Sequence, residues 1–433
     1  MNEPPVPAEA VLPGAAPVPP PPEIGSTARL WSFRFACCYL LLYYSPFPLY
    51  NLPLLDSLGG AWDSLWEWLV PWVGAHILRL ETPAVPLQTG SGDLAFAWVL
   101  IFCKLVVALA ATVVWSWLGR GRRAHPVVAD WLQVYLRFAL GVILFGYGMA
   151  KILPVQFQPP QLDRLLQPYG QASPMALLWT LMGYSRPYAA FGGWLEAIGG
   201  LLLFSRRTTL LGALLLAGVM SNVVLLNFCF DVPVKQYSSH LLLTALFLAL
   251  PDARRLGDFF LGRATVAPRP LGSPHLPARW RRPARVVKWA FVLYVCGTIT
   301  TNTYQIWRGR EEANRARPLV GIWQVEDGDA TTAAWRQVVL TGNGFFTVLH
   351  QDGKPLRFFA AVDEKEAAIT LRPRWGDAAP TRLDFSRPDD RHLKIQGKVG
   401  ELAVDALLVK VETPDFVLTS RGFHWITDYP FNH

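Results

Sequence analysis

Apolar residues along this chain follow two regimes, and the change falls near residue 318. Before it they run in long blocks separated by short basic or proline-rich connectors; after it they alternate with polar residues in short runs. A helix needs about 20 apolar residues to cross the hydrocarbon core of a bilayer. The blocks at 30–49, 95–118, 131–153, 188–204, 208–230, 236–250 and 287–304 therefore predict seven membrane-spanning helices. Between Asp56 and Glu81, Trp62, Leu65, Trp66, Leu69, Trp72, Val73 and His76 recur at helical spacing, but Pro71 and flanking charges interrupt the run. That pattern predicts a Trp-rich amphipathic helix in the membrane interface rather than a span. Residues 154–187 are too short and too rich in proline for a span, and read as a surface or re-entrant hairpin.

Beyond residue 318, segments such as WRQVVLT, GFFTVLH, LRFFAAV and HLKIQGKV are short, alternating and bounded by Gly, Asp, Asn or Pro. Strict alternation buries one face of a strand, so 318–433 reads as an antiparallel β domain, a barrel or a sandwich. The expected fold is thus a membrane all-α helical bundle of about seven transmembrane helices with a C-terminal antiparallel β-barrel or sandwich. Its parts are a Pro-rich disordered tail (1–28), two spans with the interfacial helix (29–130), a four-helix membrane core (131–256), a basic loop (257–286), a seventh span (287–304) and the β domain (318–433).

Composition agrees. The 433 residues are 52% hydrophobic and only 17% charged, too apolar for an ordinary soluble chain of this length. The net charge of +8 points away from nucleic acid, because Lys and Arg gather in loops beside the apolar blocks. Arg120, Arg122 and Arg123, then Arg206 and Arg207, then Arg254 to Arg285 mark alternate loops as cytoplasmic. The N-terminus is then cytoplasmic and the β domain periplasmic, in a bacterial inner membrane, although Arg308, Arg310, Arg315 and Arg317 run against that rule. Cys37, Cys38, Cys103, Cys229 and Cys296 all lie in apolar blocks without a C-x-x-C pair, which suggests small hydrophobes rather than disulfides or a thiol relay. The first 25 residues lack the basic and apolar regions of a signal peptide.

Candidate chemistry lies in polar groups that hydrocarbon should reject. Arg137, Lys151, Glu196, Asn222, Asn227, Asp231, Lys235 and His240 all fall within or at the edge of apolar blocks. A charge at bilayer depth costs about 3 kcal/mol or more unless it is paired or wet. Arg137 and Lys151 share one helix face about 21 Å apart, and Tyr147 lies one turn before Lys151. Glu196, flanked by Gly192, Gly193, Gly199 and Gly200, can approach a neighbouring helix closely, with Arg137 or Lys151 as its cation. The predicted site is a pocket opening outward, with Glu196 and Lys151 as its proton-linked or ligand-binding pair. Arg137, Tyr147, Asn222, Asn227, Asp231, Lys235 and His240 shape it. A competing reading makes Lys151, Asp231 and Lys235 snorkelling interfacial charges and the asparagines interhelical hydrogen-bond partners. No metal site is expected, and paired haem histidines, H-E-x-x-H, a P-loop and a G-x-S-x-G elbow are absent from the sequence. An apolar cleft with a few donors and one ionisable group suits a quinone or a lipid.

The stretches LRFALGVILFGYGMAKILP (136–154), GGWLEAIGGLLLFSRRTTLLGALLL (192–216) and NVVLLNFCFDVPVKQYSSHLLL (222–243) resemble the DoxX family, within the group that includes the DoxD-type subunit of thiosulfate:quinone oxidoreductase. The resemblance covers about 131–256 and implies a four-helix membrane core and a quinone-linked role beside other membrane redox subunits. Asn227, Asp231, Pro233 and Lys235 are also spaced as in the membrane half of vitamin-K-dependent carboxylase-like proteins. In the β domain, Gly321, Trp323 and Arg421 resemble the lipocalin-type arrangement of a first-strand tryptophan packed under a late arginine. The expected function is a membrane subunit or partner of a quinone-linked oxidoreductase. The alternative is a non-enzymatic envelope protein anchoring a periplasmic lipid- or protein-binding β domain.

Overall fold

The computed structural model describes residues 27–53, 55–87, 89–120, 125–263, 276–315, 319–329, 331–352, 354–373 and 379–431. Most of the expected N-terminal tail, together with Arg122, Arg123, Arg269 and Arg317, lies outside them. The chain first builds helices α1 (Thr27–Tyr44), α2 (Asp56–His76), α3 (Ala95–Leu118) and α4 (Pro126–Ile152). Two short pieces follow, α5 (Leu162–Leu165) and α6 (Pro174–Tyr184), and then α7 (Arg186–Leu203), α8 (Thr209–Cys229) and α9 (Lys235–Ala249). The last helices of the bundle are α10 (Ala253–Phe260) and α11 (Ala278–Arg315). Start signals sit where they should: Ser173 and Ser185 accept hydrogen bonds from the Ala176 and Tyr188 amides, and Pro opens α4 and α6.

Among the described residues, α3, α4 and α8 are long and apolar enough to cross a membrane by length and composition. The expectation of seven such spans is therefore not met on those grounds. Helix α9 has 15 residues, and α1 and α7, at 18 each, are diluted by polar and small residues. Helix α11 is the opposite case: its 38 residues extend well past the predicted 287–304 block and carry charge at both ends. These helices bury against the apolar ones, so one core joins Cys37 and Leu40 of α1, Leu136 and Leu140 of α4, Leu216 of α8 and Leu241 and Leu248 of α9. Helix α2 continues through Pro71, and its buried residues Trp66, Val70 and Val73 pack on Val99 and Cys103 of α3. Leu65, Trp72 and His76, placed on the same face by spacing, are exposed.

The closest packing joins α4 to α7. A Cβ on Gly148 would lie 2.5 Å from the Gly193 carbonyl, and one on Gly200 would lie 2.7 Å from the Gly141 carbonyl. Two backbones in contact at two levels fix the rotation of one helix against the other, which small residues permit and larger ones forbid.

Beyond α11 the chain forms an eight-stranded antiparallel barrel: β1 (Gly321–Gly328), β2 (Trp335–Leu340), β3 (Phe345–His350), β4 (Pro355–Asp363), β5 (Ala368–Pro373), β6 (Thr381–Ser386), β7 (His392–Val399) and β8 (Leu402–Val411). Each strand pairs with the next and β8 closes on β1, so the open choice between barrel and sandwich resolves to a closed barrel. An eight-stranded interior is just wide enough for side chains to fill. Phe346, Val348, Ile369, Leu371, Leu393 and Ile395 fill it. The lipocalin-type contact differs from expectation: Lys410 lies over the Trp323 ring at 5.7 Å, whereas Arg421 lies over Phe431 at 3.9 Å.

The predicted surface or re-entrant hairpin 154–187 caps the bundle and docks on the barrel. Its Asp163 is buried on the outer face of β2–β4, where Arg357 Nε donates to Asp163 Oδ2 at 2.8 Å. Gln171 donates to the Asp352 carbonyl at 2.9 Å, and Arg310 of α11 donates to the Val155 carbonyl at 2.7 Å. Removing one partner of a buried ion pair costs about 3–5 kcal/mol because the other charge is stranded. Arg357→Met is therefore expected to loosen the docking, raising amide hydrogen exchange in 161–171 while the barrel strands stay protected. Unchanged exchange there would show that this pair does not hold the cap.

Candidate functional site

Between the pairs α4/α7 and α8/α9 lies a cavity of about 390 Å³, roofed by Phe157, Leu178 and Trp179 of the cap. The geometry follows from the packing just described. Contact at Gly148 and Gly193 brings the end of α4 against the middle of α7, so the Lys151 ammonium donates to Glu196 Oε1. Both side chains are buried, at 9% and 2% exposure. The second carboxylate oxygen, Glu196 Oε2, is buried without a hydrogen-bond partner, and Gln156 Oε1 is in the same position. Both residues line the cavity. A buried acceptor left open loses its hydration without compensation, which costs about 1–3 kcal/mol and more for a charge. A donor supplied by a bound molecule would satisfy it.

Of the predicted residues, Tyr147, Lys151, Glu196, Asn222 and Asn227 line this cavity. Asn227 Nδ2 donates to Ser238 Oγ at 3.0 Å and ties α8 to α9, while Asn222 lies on the exposed flank of α8. The rings of Tyr147 and Tyr237 stand 6.3 Å apart and close the side between α4 and α9.

The other four predicted residues do not line it. Arg137 lies at the opposite end of α4, where its Nε donates to the Leu203 carbonyl at 2.8 Å. Lys288 reaches the adjacent Phe204 carbonyl at 3.4 Å, so two cations meet the last carbonyls of α7, where the helix dipole is negative. Asp231 and Lys235 pair at 2.7 Å in the turn between α8 and α9, with Asp231 83% exposed. An exposed pair of this kind contributes about 0–1 kcal/mol. His240 belongs to a separate cluster. Its Nδ1–H donates to the Gln236 carbonyl at 2.7 Å, its Nε2 accepts from the Tyr39 hydroxyl at 2.6 Å, and its ring stacks on Tyr43 at 4.1 Å. That tautomer is the one the two partners require.

Sequence reasoning missed three parts of this arrangement. Asp93 accepts from the amides of Lys235 and Gln236 at 2.7 and 3.1 Å, capping α9 from 142 residues away in sequence. Lys104 is buried, donates to the Tyr43 carbonyl at 3.3 Å and lies 5.6 and 5.7 Å from the Tyr43 and Trp66 rings. Buried Arg34 reaches the Gly119 carbonyl and His125. A lysine or arginine within an apolar block signals a buried cation, but which carbonyl it meets is set by helices far apart in sequence. Among the described residues, no group of three or more His, Cys, Asp or Glu side chains could hold a metal ion.

No family model matches the chain. No solved structure matches it. Over 145 residues it is 30% identical to the uncharacterized protein YwoB of Bacillus subtilis (strain 168), a match that takes in 33% of this chain and 91% of YwoB.

Proposed function

The chain belongs to the family of YwoB, and we propose that it is a DoxX-like integral membrane protein that binds a quinone in the cavity at Glu196, as a membrane subunit or partner of a quinone-linked oxidoreductase. One observation carries this reading: a buried Lys151–Glu196 pair, its second carboxylate oxygen without a partner, among the residues that line a largely apolar cavity. A quinone headgroup is flat and apolar with carbonyl acceptors, and its reduced form carries hydroxyl donors instead. Lys151 has N–H groups beyond the one given to Glu196 and can donate to a carbonyl; Glu196 Oε2 can accept from a hydroxyl. One residue pair thus suits both redox forms, and a carboxylate beside the exchanging oxygen is placed to take up or release the proton. The electrons come from a redox partner, by class another membrane or periplasmic electron-transfer subunit.

The membrane placement belongs to the same proposal. Arg120, Arg206 and Arg207 fall in connectors, and Arg254 and Arg255 in the short α10, at one end of the bundle, whereas the cap and the barrel sit at the other. The positive-inside rule then makes the first end cytoplasmic and the barrel periplasmic, with α1, α7, α9 and α11 completing seven spans in a bacterial inner membrane.

Mass spectrometry of organic extracts from gently purified protein tests the reading. Quinone is expected to be enriched over the surrounding lipid in the natural protein and lost in Glu196→Gln at normal protein yield. Phospholipid alone, equal in both, would overturn it.

A further inference from the structure

We infer that the ligand enters this cavity sideways from the bilayer, through a gap between α7 and α8 edged by Gly192 and Gly218, and that its apolar tail remains in that gap. The inference rests on the quinone reading above and adds the class of ligand: a membrane-dissolved amphiphile with a polar head and a long tail, rather than a water-soluble quinone.

The two helices diverge from their connecting turn. Near the turn they touch: a Cβ on Gly199 would lie 2.5 Å from Leu216 Cδ2, and one on Gly212 would lie 2.9 Å from the Gly199 carbonyl. Seven residues before Gly199, two turns along the same face of α7, the contact is gone. A Cβ on Gly192 or on Gly218 would meet nothing within 4 Å, yet both glycines line the cavity. Contacts bridge the other walls. Glycine contacts join α4 to α7, Tyr147 and Tyr237 face each other between α4 and α9, and the Asn227–Ser238 hydrogen bond joins α8 to α9. Above, Phe157 and Leu178 are buried and Phe157 packs edge-on against Trp179 at 5.2 Å. The outer edge of the gap is apolar, with Phe191 61% exposed. Asn222, one turn beyond Gly218 on α8, offers an amide on the way in. Glu196, whose Oε2 has no partner, is among the residues that line the cavity the gap leads into.

Because open space surrounds both glycines, a leucine at either position narrows the gap without displacing backbone. Full-length protein in lipid nanodiscs is titrated with an isoprenoid menaquinone and with menadione, the same headgroup without the tail. For Gly192→Leu and Gly218→Leu, menaquinone affinity is expected to fall by about tenfold or more, which corresponds to about 1.4 kcal/mol, while menadione affinity and melting temperature stay close to those of the natural protein. Gly297→Leu on α11, where a Cβ also meets nothing within 4 Å, is expected to change neither. Unchanged menaquinone binding in both gap variants, or equal loss of the two probes, overturns the portal while leaving the quinone site standing. A natural protein that binds neither probe overturns the quinone reading and the portal with it.

Discussion

Lys151→Met is expected to destabilise the bundle by about 3–5 kcal/mol, because it strands a buried carboxylate, and to abolish the proposed quinone retention. Glu196 is 2% exposed and its other oxygen already lacks a partner, so the ammonium is its principal compensation. Adding Glu196→Gln to the same chain removes the stranded charge and is expected to recover most of the stability and none of the binding. Equilibrium unfolding in mild detergent of the natural protein, the two single variants and the double variant measures this directly. A double variant no more stable than Lys151→Met would show that the pair is not energetically coupled. The cycle separates two roles that one substitution confuses: holding α4 against α7, and meeting a ligand.

Gly148→Leu and Gly193→Leu should prevent the bundle from assembling. Overpacking a well-filled core costs about 1–3 kcal/mol where side chains can adjust. Here they cannot, because the neighbours are backbone: the Gly193 carbonyl at 2.5 Å and the Ala197 amide at 2.7 Å from a Cβ on Gly148. Helix separation is the remaining relief, and it also parts Lys151 from Glu196. Size-exclusion profiles of the solubilised protein are expected to show aggregate or no monodisperse peak for these variants. Gly192→Leu, one residue away from Gly193 but facing open space, should run like the natural protein. Equal profiles for Gly192→Leu and Gly193→Leu would mean that α4 and α7 are not in backbone contact.

Much of the site was readable from residue type and depth. Tyr147, Lys151, Asn222 and Asn227 are polar groups in the half of their helix nearest the cap, and they converge with Glu196 from the middle of α7. Depth alone misled for Arg137 and His240. Position along a helix follows from counting residues, but the element a side chain finally meets depends on how the helices cross. Arg137 shares a face with Lys151 and does reach α7, yet it meets the Leu203 carbonyl and not a carboxylate. His240 points to Tyr39 and Tyr43 of α1, which the resemblance-based core of 131–256 did not include. Among the described residues only α3, α4 and α8 stand out as spans by composition, for a related reason. Helices such as α7 and α9 spend part of their surface on neighbours, so their sequences need not be apolar enough to stand alone in lipid.

By itself the sequence determined that long apolar blocks become helices, that the alternating C-terminal runs become strands, and that buried charges must find partners, because hydrophobic period and desolvation cost are local properties. The tertiary structure alone decided which glycines touch and which stand open, that β8 closes on β1, and that Asp163 pins the cap to the barrel. Those outcomes depend on the rotation and crossing of elements distant in sequence, and no local pattern encodes them.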